Sequence, residues 1–206
     1  MEKITTIESL EAIYGSPGER SLWKEIDHIN DHYRRFIEAS PFLILASYGA
    51  KGVDCSPRGD PPGFVRIVDD NCILIPDRKG NNRLDSLRNI VNNPQVGLIF
   101  LVPNAGETIR VSGRAEIIID KKLCDSISIK GKPASCVISV KVQKAYFQCQ
   151  KALARSRLWD PSSYMERSKL PSAGQMAQHF SEAQGVAFDG DSYDRGYAEH
   201  LRKTIY

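Results

Sequence analysis

The sequence lacks a long apolar run and a large excess of either charge. No stretch approaches the roughly 20 apolar residues that span a bilayer, and residues 1–15 lack the apolar core of a signal peptide. We therefore expect a cytoplasmic protein that does not associate with a membrane. Lys and Arg number 28 against 25 Asp and Glu, a net charge of +3. This balance argues against nucleic acid as a partner, so any anion site must be local.

Cysteine and histidine are sparse and poorly placed for metal binding. The five cysteines form no Cys-x-x-Cys pair, and their odd number argues against a disulfide framework. All four histidines lie outside the middle of the chain. His28 and His32 share a helix face at i, i+4, but no glutamate lies between them as in His-Glu-x-x-His. We predict a solvated helix face there and no metal site.

What the sequence contains is enough apolar character for one packed core. Hydrophobic residues make up 41% of 206 residues, which predicts a single domain, 1–206. Between residues 19 and 39, apolar side chains recur with the helical period. This predicts one amphipathic N-terminal helix that ends at Ser40-Pro41, because the residue before a proline is disfavoured in helical dihedrals.

In residues 42–146 the sequence pattern is that of short strands. Segments rich in β-branched residues are separated by turns such as Gly49–Gly52 and Asp69–Asn71, and a short helix, 84–91, interrupts them. The pattern predicts a mostly β fold: a closed or partly closed antiparallel barrel with peripheral helices. Residues 147–206 are predicted to be a helical C-terminal extension.

The densest polar cluster is residues 77–83, between a strand that ends at Pro76 and the helix that begins near Leu84. The first turn of a helix offers unpaired N–H groups and the positive end of the helix dipole. Arg83 can grip a phosphate through two nitrogens, and Ser86 can donate its hydroxyl. The same composition is also typical of a solvated basic turn. The spacing leaves both interpretations open.

Other cations are candidates for the same ligand. Arg58 lies in residues 56–60, where a predicted strand ends. Arg110 lies on the polar face of another predicted strand. Lys151 and Arg155 are i, i+4 neighbours on a predicted helix, where two like charges are unfavourable unless they are solvated or face an anion. Each of these residues is also compatible with an ordinary protein surface.

Several segments together resemble the pyridoxamine 5'-phosphate oxidase-related flavin-binding proteins, over roughly residues 25–160. The segments that carry the resemblance are Phe42–Ser47, Ser56–Phe64, Ile75–Arg78, Asn81–Ile90, Asn93–Phe100 and Arg110–Ala115. Within that superfamily, the chain is most similar to the branch marked by Ser-Pro-x-Gly-Asp-Pro-Pro-Gly.

The resemblance implies a split β-barrel homodimer that binds FMN in two equivalent clefts at the subunit interface. It places the flavin phosphate at residues 81–83 and 86, and the isoalloxazine edge at residues 75–77. Arg78 and Lys79 become rim charges. The positions implied to contact the cofactor are Arg58, Ile75, Pro76, Asp77, Asn81, Asn82, Arg83 and Ser86.

The C-terminal Trp-x-Arg-Pro pattern of the true oxidases is absent. We therefore expect an FMN-dependent oxidoreductase that acts on another small molecule, with NADH or NADPH as candidate electron donor. Arg110, Lys151 and Arg155 are weaker candidates for contacting an anionic substrate or the second subunit. The alternative is a non-catalytic protein that binds, stores or senses flavin, deazaflavin or haem.

Overall fold

A computed structural model describes residues 1–206 as one antiparallel sheet of seven strands with eight α-helices around it. This confirms the prediction of a mostly β, split-barrel fold. The strands are β1 (Phe42–Gly49), β2 (Gly52–Gly59), β3 (Arg66–Asp69), β4 (Cys72–Asp77), β5 (Gln95–Leu101), β6 (Thr108–Ile118) and β7 (Cys136–Gln148). The helices are α1 (Ile7–Tyr14), α2 (Glu19–Trp23), α3 (Asp31–Ala39), α4 (Asp85–Asn92), α5 (Lys121–Ser126), α6 (Lys151–Ser156), α7 (Ala173–Glu182) and α8 (Gly190–Thr204).

The sheet curls until its two ends approach each other. The strand order is β2-β1-β5-β6-β7-β4-β3, so β2 and β3 are the edges. Arg58, at the end of β2, nevertheless lies 3.6 Å from Asp77 at the end of β4, measured from Nη2 to Oδ1. The barrel is therefore closed on this side by side chains instead of backbone pairing, and a cleft follows the seam.

The core lies inside the curled sheet. Strands β1 and β5 alternate buried and more exposed residues, as expected for strands with one face against a core. Leu43, Phe100 and Ile138 are fully buried. Helix α3 contributes Ile37 and helix α4 contributes Ile90 to the same cluster. The packing of Ile90 fixes the position of α4, whose first turn faces the cleft.

The prediction of one helix over residues 19–39 is wrong. Two helices, α2 and α3, are separated by a non-helical segment in which the backbone of Ile26 pairs with Ala145 of β7, with N···O distances of 2.9 and 2.7 Å. Asn30 then caps α3, its side chain accepting a hydrogen bond from Tyr33 N at 2.9 Å. Pairing with a residue more than 100 positions away overrides the local helical period.

The C-terminal extension folds into a helical hairpin. Helices α7 and α8 pack against each other, with Gly174 and Gly190 at their closest approach. Asp194 accepts hydrogen bonds from Gly174 N, at 2.9 Å, and from the Ser172 hydroxyl. The chain then reaches back to the barrel, where Lys132 Nζ donates to the main-chain oxygen of Tyr206. No helix combines the length and apolar character needed to cross a membrane.

Candidate cofactor site

A cleft of ≈380 Å³ lies at the seam of the barrel. Its walls are the ends of β2 and β4, the loop between β4 and α4, the first turn of α4 and the start of β7. Six of the predicted site residues line it: Arg58, Asp77, Asn81, Asn82, Arg83 and Ser86. Two segments that are distant in sequence, 56–58 and 77–87, therefore face the same space.

The first turn of α4 is open toward a ligand. Asn81 Oδ1 accepts a hydrogen bond from Arg83 N at 3.1 Å, and Asn82 adopts a left-handed backbone with φ 58°. Leu84, at the N-cap position, is also left-handed and provides no side-chain cap. The N–H groups of the first turn consequently have no capping partner, and they create a partial positive charge. Such a terminus is suited to bind an anion.

Arg58 is the best-placed cation in the cleft. Its Nη1 donates to the main-chain oxygen of Pro57 at 3.1 Å, and its Nη2 lies near Asp77. Its Nε is buried and has no hydrogen-bond partner. Because Arg58 lines the cleft, its positive charge favours an anionic ligand there.

Arg78 is not the rim charge that the sequence predicts. Its Nε lies 2.9 Å from the buried carboxylate of Asp60, and its Nη2 donates to the main-chain oxygen of Ile127 at 2.9 Å. The side chain is 18% exposed. It links the loop after β4 to the segment after β2 and the end of α5. Lys79 is exposed and lies at the rim, as predicted.

Ser86 and Arg83 are placed differently from the prediction that both grip a phosphate. Ser86 is 2% exposed, and its hydroxyl lies 3.0 Å from Asp54 Oδ2 and 2.9 Å from Ser56 Oγ. This hydroxyl fastens α4 to β2, so the main-chain N–H is the group it has free for a ligand. Arg83 is 79% exposed and bonds Asp85. That hydrogen bond and the charge of Asp85 raise the pKa of Arg83.

Comparison with protein families agrees with this architecture. A family model described as Pyridoxamine 5'-phosphate oxidase matches residues 29–149, more than half of the chain. The chain belongs to the pyridoxamine 5'-phosphate oxidase family. The matched residues include all seven strands and the cleft. Helices α6, α7 and α8 lie outside the matched residues.

Solved structures that resemble this chain have low sequence identity to it. HupZ of Group A Streptococcus is 18% identical with a TM-score of 0.45, covering 57% of this chain and 91% of HupZ. General Stress Protein 26 of Bacillus anthracis is 15% identical with a TM-score of 0.44, covering 55% and 88%. An F420 reductase is 17% identical with a TM-score of 0.42, covering 58% and 98%. No curated protein matches the chain.

Five predicted residues of this family member lie outside the cleft. Ile75 is fully buried in the core, so its side chain cannot contact a ligand. Pro76 is buried beside a smaller pocket that borders Arg58 and Asp77. The three remaining cations are exposed elsewhere on the surface: Arg110, Lys151 and Arg155. The guanidinium carbon of Arg110 lies 5.0 Å from the ring centroid of Tyr146.

The site also contains residues that the sequence pattern does not single out. Asp54 joins Ser86 and Ser56, and Cys136 lines the cleft from β7. Burial raises the pKa of the Cys136 thiol to about 11, so it is a neutral thiol near neutral pH. The signal for Asp54 was present. Positions 54, 56 and 58 alternate along β2 as a polar, half-buried face.

Burial raises the pKa of Asp77, and the nearby Arg58 opposes this rise only in part. The ionised carboxylate is therefore less favourable in the folded chain than in the unfolded chain. Stability from this group is fully present below the unfolded pKa of 3.8 and is lost as pH rises through the higher folded pKa. We expect Asp77→Asn to avoid this loss, because asparagine is neutral at every pH.

The measurement is urea unfolding of wild type and Asp77→Asn from about pH 3 to about pH 8. The difference in unfolding free energy should move in favour of Asp77→Asn as pH rises above 3.8 and then become constant. Asp70→Asn, at an exposed carboxylate paired with Arg34, is the control. A pH-independent difference for Asp77→Asn would contradict the assignment.

Proposed function

We propose that the protein binds FMN in the seam cleft and is an FMN-dependent oxidoreductase that acts on a small molecule. The observation that carries the proposal is the uncapped first turn of α4, which lines the same cleft as Arg58. Free N–H groups at the start of a helix and an arginine side chain both bind phosphate, so one phosphate can contact both. Membership in the pyridoxamine 5'-phosphate oxidase family supports a flavin as the molecule that carries this phosphate.

The charges of the cleft fit a phosphate ester. Four cations line it against two carboxylates, Asp77 and Asp85. Arg58 and Arg78 are mostly buried and each lie near a carboxylate, which restricts their side chains before a ligand arrives, whereas Arg83 is 79% exposed. We assign the phosphate to the main-chain N–H groups at the start of α4 and to Arg58. Arg83 would add a flexible contact at the rim.

When bound, the flavin supplies the hydride or electron transfer, and the protein supplies binding and orientation. Arg58 and α4 hold the phosphate, which fixes the position of the ring system relative to the strand ends. Burial raises the pKa of the Cys136 thiol to about 11, so this group of the wall is neutral near neutral pH and does not repel electron density that enters the ring. This arrangement needs no histidine, and none lines the cleft.

We also propose a homodimer, as the family resemblance implies. The exposed positions of Arg110, Lys151 and Arg155 suit contacts with a second subunit or its ligand better than contacts with this cleft. Sedimentation of the FMN-loaded protein should give a species of twice the 23.0 kDa chain mass. A monomer with bound FMN would refute this arrangement.

The test of the function begins with titrations of FMN and riboflavin against the protein freed of cofactor. Because riboflavin lacks the phosphate, we expect it to bind at least about 100-fold more weakly than FMN. The FMN-loaded protein is then mixed anaerobically with NADPH or NADH. Bleaching of the flavin absorbance, and recovery in air, is the expected result.

The outcomes separate the alternatives. Equal affinity for FMN and riboflavin would contradict the phosphate site. Tight FMN binding without bleaching by either nucleotide would favour a storage or sensing protein over an enzyme. Preferential binding of haem or deazaflavin would show that FMN is not the cofactor. Oxidation of pyridoxamine 5'-phosphate is not expected, because the Trp-x-Arg-Pro pattern is absent.

A further inference from the structure

The loop 78–84 joins β4 to α4 and forms one wall of the seam cleft. The residues after Arg78 in this loop are exposed, and the ion pair of Arg83 reaches no further than Asp85 in the first turn of α4. Arg78, in contrast, bonds Asp60 beyond the end of β2 and a main-chain oxygen at the end of α5. Arg78 is therefore the side chain that fixes this loop to distant parts of the barrel.

The ion pair of Arg78 and Asp60 is buried, so it depends on further hydrogen bonds. The Asp60 carboxylate is 4% exposed and the Arg78 side chain 18%. Removing two charges from water is costly, and such a pair is stable only when its remaining polar atoms are also bonded. Burial raises the pKa of the Tyr206 phenol, and a hydrogen bond to Asp60 raises it further. The phenol therefore keeps its proton near neutral pH and is a second donor to the Asp60 carboxylate.

A tight turn between α5 and β7 holds Tyr206 in this place. The backbones of Ile129 and Lys132 pair, with N···O distances of 3.0 and 2.9 Å. The two residues between them, Lys130 and Gly131, are left-handed, with φ of 50° and 74°. Lys132 Nζ donates to the main-chain oxygen of Tyr206, and Lys130 Nζ lies 4.9 Å from the centroid of its ring, where a cation is attracted to the aromatic face. The turn therefore fixes both the main chain and the ring of Tyr206.

We propose that Tyr206 is a positioning residue of the seam cleft: by bonding Asp60 and covering its pair with Arg78, it holds the loop 78–84 in the conformation that presents the first turn of α4 to a ligand. A loop that is ordered before binding avoids the entropy cost of ordering it on binding. Tyr206 follows α8, outside the residues 29–149 that match the family, so the family match does not account for this support. The inference rests on the proposed function only in naming FMN as the ligand.

The first measurement is FMN affinity, from quenching of FMN fluorescence by the cofactor-free protein. Tyr206→Ala should weaken FMN binding about fivefold or more, because the loss of a donor to a buried carboxylate loosens the pair with Arg78. Tyr206→Phe keeps the ring beside Lys130 but lacks the hydroxyl, so it should weaken binding only about two- to threefold. Tyr197→Ala is the matched control, because Tyr197 is an exposed tyrosine of α8 that stacks on Tyr193 and does not face the loop.

The second measurement is limited trypsin digestion of the cofactor-free protein, followed by mass spectrometry. Lys79 is an exposed cleavage site inside the loop, and Lys51, in the turn between β1 and β2, is an exposed internal reference. We expect Tyr206→Ala to be cleaved at Lys79 about fivefold faster than wild type, and at Lys51 at the wild-type rate. A local change of this kind separates positioning of the loop from a general loss of stability, which would accelerate both cleavages.

The outcomes distinguish this inference from the proposed function. Faster cleavage at Lys79 in Tyr206→Ala, in a protein that binds no FMN, would support the role of Tyr206 and reject FMN as the ligand. Wild-type cleavage at Lys79 in Tyr206→Ala would overturn the inference, and so would equal acceleration at Lys51. FMN binding by Tyr206→Ala as tight as that by Tyr197→Ala would also overturn it.

Discussion

Replacing Arg58 with alanine is expected to weaken FMN binding about 100-fold, because a charge-assisted hydrogen bond to a phosphate contributes roughly 1.5–3 kcal/mol. The side chain of Arg58 is 22% exposed, so solvent screens it less than a surface cation. Its removal also leaves Asp77 without its cation beside the bound anion. Both effects reduce affinity in the same direction.

The measurement is quenching of FMN fluorescence on titration with each variant. Arg34→Ala is the control, since Arg34 is 28% exposed and pairs with Asp70 away from the cleft. Arg83→Ala should weaken binding less than tenfold, because its exposed side chain must leave Asp85 to reach a ligand. The double variant Arg58→Ala with Asp77→Asn separates direct contact from repulsion. FMN affinity in Arg58→Ala equal to that in Arg34→Ala would reject the assignment.

A single methyl group at Gly113 is expected to lower the unfolding free energy by about 3 kcal/mol. Gly113 lies on β6 where the register with β7 shifts. A Cβ there would lie 2.1 Å from the main-chain oxygen of Lys141 and 3.2 Å from a methyl group of Val140. A main-chain oxygen in a paired strand cannot move aside, so the two longest strands must separate locally.

Gly97→Ala is the matched comparison for Gly113→Ala. Gly97 lies in the adjacent strand β5, where a Cβ would meet only Ala46 Cβ at 3.8 Å, an ordinary contact. Urea unfolding should give a change within about 1 kcal/mol for Gly97→Ala. Insolubility of Gly113→Ala alone would point in the expected direction. Equal losses in both variants would show that the close approach is not the cause.

The strands could be predicted from the sequence because the residue patterns that produce them lie within each strand and its flanking turns. Alternating apolar residues and flanking turn residues predict strands in the segments that form β1 and β5. The break between α2 and α3 could not be predicted, because it depends on the pairing of Ile26 with Ala145. The length of β7 likewise depends on a distant partner, because it pairs with β6 along almost its whole length.

At the site, the local sequence predicts the strand and the helix but not which side chains contact each other. A basic segment between a strand and a helix indicates an anion site, and the structure places it beside Arg58. Nothing local shows that Arg78 pairs with Asp60 instead of facing solvent, or that the Ser86 hydroxyl bonds Asp54. These contacts depend on how the two ends of the sheet meet.

The seam of the barrel has a practical consequence for making the protein. Strand β2 is an edge strand, so one row of its backbone groups is unpaired, and such edges promote self-association. Side-chain contacts, such as the ion pair of Arg58 with Asp77 and the bonds of the Ser86 hydroxyl to β2, hold this edge near β4 in place of backbone hydrogen bonds. A ligand that binds the folded chain alone shifts the equilibrium away from open forms. Cells with ample flavin should therefore yield more soluble protein, and cofactor-starved preparations should aggregate first along β2.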